Sequence, residues 1–224
     1  MYVSDFIRQR VLPANDLGTL LSRIGGGMLP PSGTIFFVDG NASTGADAVG
    51  YGRSFDKPYL TIDYAINQCT ANAGDVILVA AGHNEGAGDA QLFDLDVAGV
   101  TILGMGRGNQ RPVLDFDHAN ATIDIGANNC YVGGFRLRPS VTGVLIGVDI
   151  ETGITGTVLE DIEWVNGEDG SGTDEFVKAL HLTSGNHDTV MRRLRVRAHA
   201  SAAHATHGIH VDAASDRCVY DDVV

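Results

Sequence analysis

The chain has 224 residues, 44% of them hydrophobic, which is enough for a sizeable core and too apolar for wholesale disorder. A net charge of −13 argues against nucleic-acid binding, because such a surface repels phosphates. No apolar run approaches the length of a membrane span, and the three cysteines (Cys69, Cys130, Cys218) lack the spacing of a zinc finger.

Residues 1–33 read as an arm and linker. The first ten, MYVSDFIRQR, lack the apolar centre of a signal peptide, which predicts synthesis in a cytoplasm. Asn15 or Asp16 can cap a short helix with Leu17, Leu20, Leu21 and Ile24 on one face, and Gly25-Gly26-Gly27 ends it. Leu29-Pro30-Pro31-Ser32-Gly33 then reads as an extended linker. So short an amphipathic helix does not fold alone. It either packs on its own domain or docks on a partner.

Residues 34–224 read as one β-rich domain. A first strand is predicted at 34–39 (TIFFVD), followed by a Gly/Ser/Asp-rich loop at 40–56 and Lys57-Pro58. Leu60, Tyr64, Ala65 and Cys69 then stand at helical spacing, and residues 75–80 (DVILVA) form the next strand.

From here a repeat takes over. An apolar–x–apolar unit, both side chains on one face of a strand, occurs at Val76/Leu78, Val100/Ile102, Ile123/Ile125, Val148/Ile150, Leu180/Leu182 and Ile209/Val211. In the last four units a second run follows, at 131–137, 158–164, 190–196 and 219–224. One such unit cannot bury its apolar face alone; stacked units join their inward residues into ladders and make a continuous core. The pattern predicts a parallel β-helix. In the second run Gly133/Gly134, Glu160/Asp161, Arg192/Arg193 and Asp221/Asp222 align, as do Arg136, Glu163 and Arg195, so charge signs alternate from coil to coil. Opposite charges across paired strands stabilise and resist slippage. Cys130 and Cys218 fall three coils apart, roughly 14 Å at the strand spacing, too far for a disulfide. The chain ends within a second run, which predicts an exposed sheet edge and a partner chain, most simply a homotrimer, or a longer natural chain.

Residues 34–106 carry a resemblance. A strand ending in VDG, a Gly/Asp-rich loop, an aromatic-Asp-Lys-Pro turn, the helical TIDYAINQC and the strand and turn GDVILVAAGHNEG resemble the entry segment of pectate-lyase-like right-handed parallel β-helix proteins. The segment recurs in bacterial surface proteins, phage tailspikes and other virion proteins of that family. The resemblance implies an all-β, right-handed solenoid whose N-terminal end is capped by the helix around residues 61–69. The family's lyases use acidic Ca²⁺-binding clusters with a basic residue nearby, and no such motif matches here position by position.

Chemistry is sought at the outward position of the first column, which reads Ile77, Thr101, Asp124, Asp149, His181, His210. Asp124 and Asp149 have the chemistry of a glycosidase acid/base or nucleophile pair, and His181 and His210 that of proton carriers. The same four also read simply as solvated strand positions, and that reading is preferred. His199, His204, His207 and His210 lie in an Ala-rich segment read as an exposed loop rather than a metal site. No Ser-centred elbow, phosphate-cradling loop or dinucleotide fingerprint is present, so no cofactor is expected.

Two functions follow as expectations. The first is a non-enzymatic phage virion protein, a capsid decoration or cement protein or the base of a spike or fibre, docked on other virion proteins through Leu17, Leu20, Leu21 and Ile24. The second is a tailspike-type glycosidase or polysaccharide lyase acting on a surface polysaccharide through Asp124, Asp149, His181 and His210.

Overall fold

A computed structural model describes residues 33–86, 91–167, 173–198, 205–212 and 215–224. The proposed arm, residues 1–33, lies outside them except for Gly33.

The chain winds through stacked coils, each built from up to three short strands. Strand β1 (Ile35–Val38) and helix α1 (Ile62–Ile66) precede the first full coil, β2 (Val76–Val79), β3 (Asn84–Gly86) and β4 (Gln91–Leu95). The second coil holds β5 (Thr101–Gly104), β6 (Val113–Phe116) and β7 (Thr122–Ile125); the third holds β8 (Tyr131–Gly133), β9 (Arg136–Pro139) and β10 (Val144–Ile150). The fourth is β11 (Val158–Glu160), β12 (Glu163–Asn166) and β13 (Phe176–Leu182). The fifth is β14 (Val190–Ala198) and β15 (His207–Val211), and β16 (Val219–Val223) begins another. Each strand pairs in parallel with its counterparts in the coils before and after, giving an all-β parallel solenoid of about five turns among the described residues.

Three strand faces result. The first stacks β1, β2, β5, β8, β11, β14 and β16; the second stacks β3, β6, β9, β12 and the latter part of β14; the third stacks β4, β7, β10, β13 and β15. Alternation along each strand turns every second side chain inward. On the first face Ile77, Ile102, Val132, Leu159 and Met191 form an interior ladder, each 3% exposed or less. On the second, Leu114, Leu137 and Trp164 stack. On the third, Phe93, Ile123, Val148 and Leu180 stack, beside Leu95, Ile125, Ile150 and Leu182. These ladders meet in one buried cluster.

The repeat read from the sequence is present but divides differently. Val76/Leu78 and Val100/Ile102 do not share a ladder with Ile123/Ile125. They belong to the first face, where Val76 pairs with Thr101 and Ile77 with Ile102, whereas Ile123 lies on the third face above Phe93. The reason is local. All four residues of β2 are buried, because Val76 and Leu78 turn away from the main core into a second small cluster with Phe37. Phe55 from the preceding loop lies edge-on against Phe37 at 4.4 Å between ring centroids. Alternation cannot tell inside from outside where both sides are apolar.

Corners between faces use left-handed backbone. One column of corners is Asn72, Gly99, Asn129, Gly156, Asp188 and Arg217, with φ between 53° and 76°. Up to Asp188, each donates its N–H to the carbonyl just before the matching corner of the next coil: Asn72 to Ala98, Gly99 to Asn128, Asn129 to Thr155, Gly156 to His187 and Asp188 to Asp216. A second column, Gly134, Asp161, Arg193 and Asp222, turns the chain between the first and second faces. The corner geometry thus satisfies backbone donors that a bend would otherwise strand.

Charge alternation along the second run holds. Arg192 donates to Glu160 at 2.9 Å, Arg193 also reaches Glu160, and Arg136 meets Glu163 at 3.2 Å. On the next coil Glu163 is met by Arg197 at 2.9 Å rather than by its register partner Arg195. Each pair contributes about 0–1 kcal/mol, so its main effect is on register. Cys69, Cys130 and Cys218 are free thiols, and burial pushes the Cys69 thiol up to about 12.

Helix α1 is capped by Thr61, whose hydroxyl accepts from the Tyr64 N–H at 3.3 Å. It buries Ile62, Ala65 and Ile66 and touches β1, β2 and β4. Glu85, at the foot of the Leu114 ladder, accepts from the Ile62 N–H at 3.1 Å and pairs with His83 at 3.0 Å. Burial pushes its carboxyl up despite those partners.

Candidate functional site

The third face carries an outward column in continuous register. Asp94 pairs with Asp124, Asp124 with Asp149, Asp149 with His181, and His181 with His210. All four sequence-predicted residues, Asp124, Asp149, His181 and His210, therefore come together on adjacent coils. Ile77 and Thr101, read as lower members of the column, lie on the first face, and Ile77 is fully buried. The member missed at that position is Asp94. Its signal was the outward Asp between Phe93 and Leu95, an apolar–x–apolar unit hidden by the choice of Val100/Ile102 as its equivalent.

The column has an acidic lower half and an imidazole upper half. Asp124 accepts from Gln91 Nε2 at 2.6 Å and from Thr122 Oγ1 at 3.0 Å. Burial raises the Asp94 carboxyl above its ordinary range, and the charges of Asp96, Asp124, Glu151 and Asp63 add to the effect. Burial also raises Asp149, with Asp124 adding to the rise, against the lowering influence of His181 and Lys178. His181 Nδ1 lies 3.0 Å from Asp149 Oδ1. On the other side of that ring, His181 Nε2 lies 3.5 Å from Asp212 Oδ2, and His210 Nε2 lies 3.4 Å from Asp212 Oδ1. The His181 and His210 rings are 5.3 Å apart, and His207 stands edge-on to His210 at 4.9 Å.

Asp212 is a second residue that the sequence reading passed over. It lies two positions beyond His210, and residues two apart share a side of a strand; the His-x-Asp spacing was the available signal. His199 and His204 lie outside the described residues, as do Leu17, Leu20, Leu21 and Ile24.

Chemically, the column offers carboxylates one coil apart and a buried imidazole held by a carboxylate. It does not line either of two shallow concavities on the molecule. One, of about 230 Å³, is bordered by arginines including Arg111, Arg136 and Arg193 with Asp161 and Glu163. The other, of about 300 Å³, runs along the corner column past Asn72, Gly99 and Asn129. No described helix is long and apolar enough to cross a membrane. No family model matches the chain, and neither the curated proteins nor the solved structures provide a match.

Proposed function

We propose that the chain is a non-enzymatic structural protein of a phage particle, a capsid decoration or cement protein or the base of a spike or fibre, with residues 1–33 as its docking arm. The observation that carries this reading is the use of outward polar groups. Arg192, Glu160, Arg136, Glu163, Asp149 and His181 bond across coils, which stiffens a rod rather than opening a substrate cleft. The resemblance of residues 34–106 to the entry segment of virion β-helix proteins supplies the setting. The proposal includes a right-handed winding, supported by the near-universal hand of parallel crossovers, with α1 as the cap of the N-terminal end. Assembly as a homotrimer belongs to the same reading.

Deleting residues 1–32 tests it. The expected result is an unchanged strand-rich circular dichroism spectrum with loss of co-sedimentation with purified particles. A truncated protein that still co-sediments contradicts the docking role. The competing reading, a tailspike-type glycosidase or lyase, is favoured by the pairing of Asp124 with Asp149. Depolymerisation of a surface polysaccharide by the full chain, lost in Asp124→Asn, would replace the structural reading with that one.

A further inference from the structure

The upper end of the column carries chemistry that a rigid rod does not need. His181 is 8% exposed, and its Nε2 is buried without a hydrogen-bond partner. A buried polar atom left unpaired is destabilising unless a ligand satisfies it. The nitrogen on the other side of the ring is occupied, since Nδ1 faces Asp149 Oδ1 at 3.0 Å. With the Nδ1 proton given to that carboxylate, Nε2 presents its lone pair toward Asp212 and His210. This is the arrangement in which a carboxylate fixes the tautomer of a metal-binding histidine.

The neighbours complete a donor set. Parallel pairing places His210 beside His181 on the next coil, and Asp212, just past the end of β15, brings its carboxylate to both rings. One donor atom from each of the three lies within 4.8 Å of the others. A zinc-class ion bonded at about 2.0–2.2 Å in a tetrahedron holds its ligand atoms about 3.3–3.6 Å apart. The Asp212 carboxylate faces both imidazoles, with Oδ2 3.5 Å from His181 Nε2 and Oδ1 3.4 Å from His210 Nε2, so each oxygen stands about one such edge from one ring. Asp212 and His210 are partly exposed, at 45% and 34% of their side-chain surface.

We propose that His181, His210 and Asp212 bind a divalent transition-metal ion of the zinc class, with Asp149 as the group that orients His181. Two imidazoles and one carboxylate suit such an ion and not calcium or magnesium, which take mainly oxygen ligands. The fourth position is left to water or another ligand. The ion clips β13 to β15, joining the fourth coil to the fifth through side chains as well as backbone.

Titration of the chelator-treated full chain with Zn²⁺ alone, by calorimetry near neutral pH, tests the assignment. The expected result is one ion per chain, a higher melting temperature with zinc, and no competition from Ca²⁺. His210→Ala and Asp212→Ala, both at partly exposed positions, are expected to weaken binding at least about tenfold with unchanged circular dichroism. Asp149→Ala is expected to weaken it roughly 10–100-fold through loss of orientation. A His199→Ala/His204→Ala double variant should bind as the parent does. Absence of zinc binding by the parent overturns the proposal. So does undiminished binding in both His210→Ala and Asp212→Ala, or binding lost only in the His199/His204 variant.

Discussion

Leu159→Asp is expected to leave the chain without a cooperative native state, whereas Leu145→Asp leaves it folded. The two substitutions are chemically identical. Leu159 is fully buried at the centre of the first-face ladder, between Val132 below and Met191 above. A carboxylate there loses its water without gaining a partner, at an effective cost of several kcal/mol, comparable to the roughly 5–15 kcal/mol that stabilises a typical domain. It also breaks a ladder, so coils on both sides lose their nearest neighbour, and in a solenoid stability is largely a sum of such contacts. Leu145 is 54% exposed on the outer side of β10, where a charge changes stability by about 0.5 kcal/mol or less. Thermal unfolding followed by circular dichroism separates the outcomes. A Leu159→Asp protein that melts cooperatively within a few degrees of the parent would show that Leu159 does not face the core.

Phe116→Ala is expected to destabilise the protein by about 3–5 kcal/mol. Phe116 closes β6, is fully buried, and meets the equally buried Phe176 of β13 edge-on at 4.9 Å. This contact joins the end of the second face to the start of the third across coils, so it ties together parts that backbone pairing does not. Its loss opens a cavity that fixed strands on both sides cannot collapse. Phe176→Ala should cost a similar amount, and the double variant less than the two together, the deficit being about 0.5–1.5 kcal/mol for the aromatic pair. Urea denaturation of the four proteins reads these values. A single-variant loss below about 1 kcal/mol would mean that the two rings do not pack as described.

The stacking principle was legible in the sequence because interior ladders require apolar residues at repeating positions. From Ile123 upward those positions are unambiguous: Ile123, Val148 and Leu180 are buried and their outward neighbours are polar. Below that point the signal fails for a physical reason. Val76, Ile77, Leu78 and Val79 are all buried, so no alternation marks the inward side. The second face was not separated from the first because its strands follow after a single left-handed corner. In the fifth coil β14 runs on through that corner, at Arg193, as one strand that pairs on both faces. Where the corner residue is Gly134 the break has a sequence signal; where it is Asp161, Arg193 or Asp222 it has none. The candidate site followed the same division. Asp124, Asp149, His181 and His210 were aligned correctly with one another, Asp94 was lost with the misassigned lower unit, and Asp212 was lost because it stands just past the end of β15.

That shift of ladder is also the sharpest test of the solenoid itself. With the three native cysteines replaced by alanine, Asp94→Cys/Asp124→Cys places two thiols on register partners in parallel strands, about 4.8 Å apart at Cα and within disulfide range. Thr101→Cys/Asp124→Cys places them on different faces. Mild oxidation followed by peptide mass spectrometry is predicted to give an intramolecular disulfide in the first protein and none in the second. A disulfide between positions 101 and 124, with none between 94 and 124, would contradict the stacking of these coils.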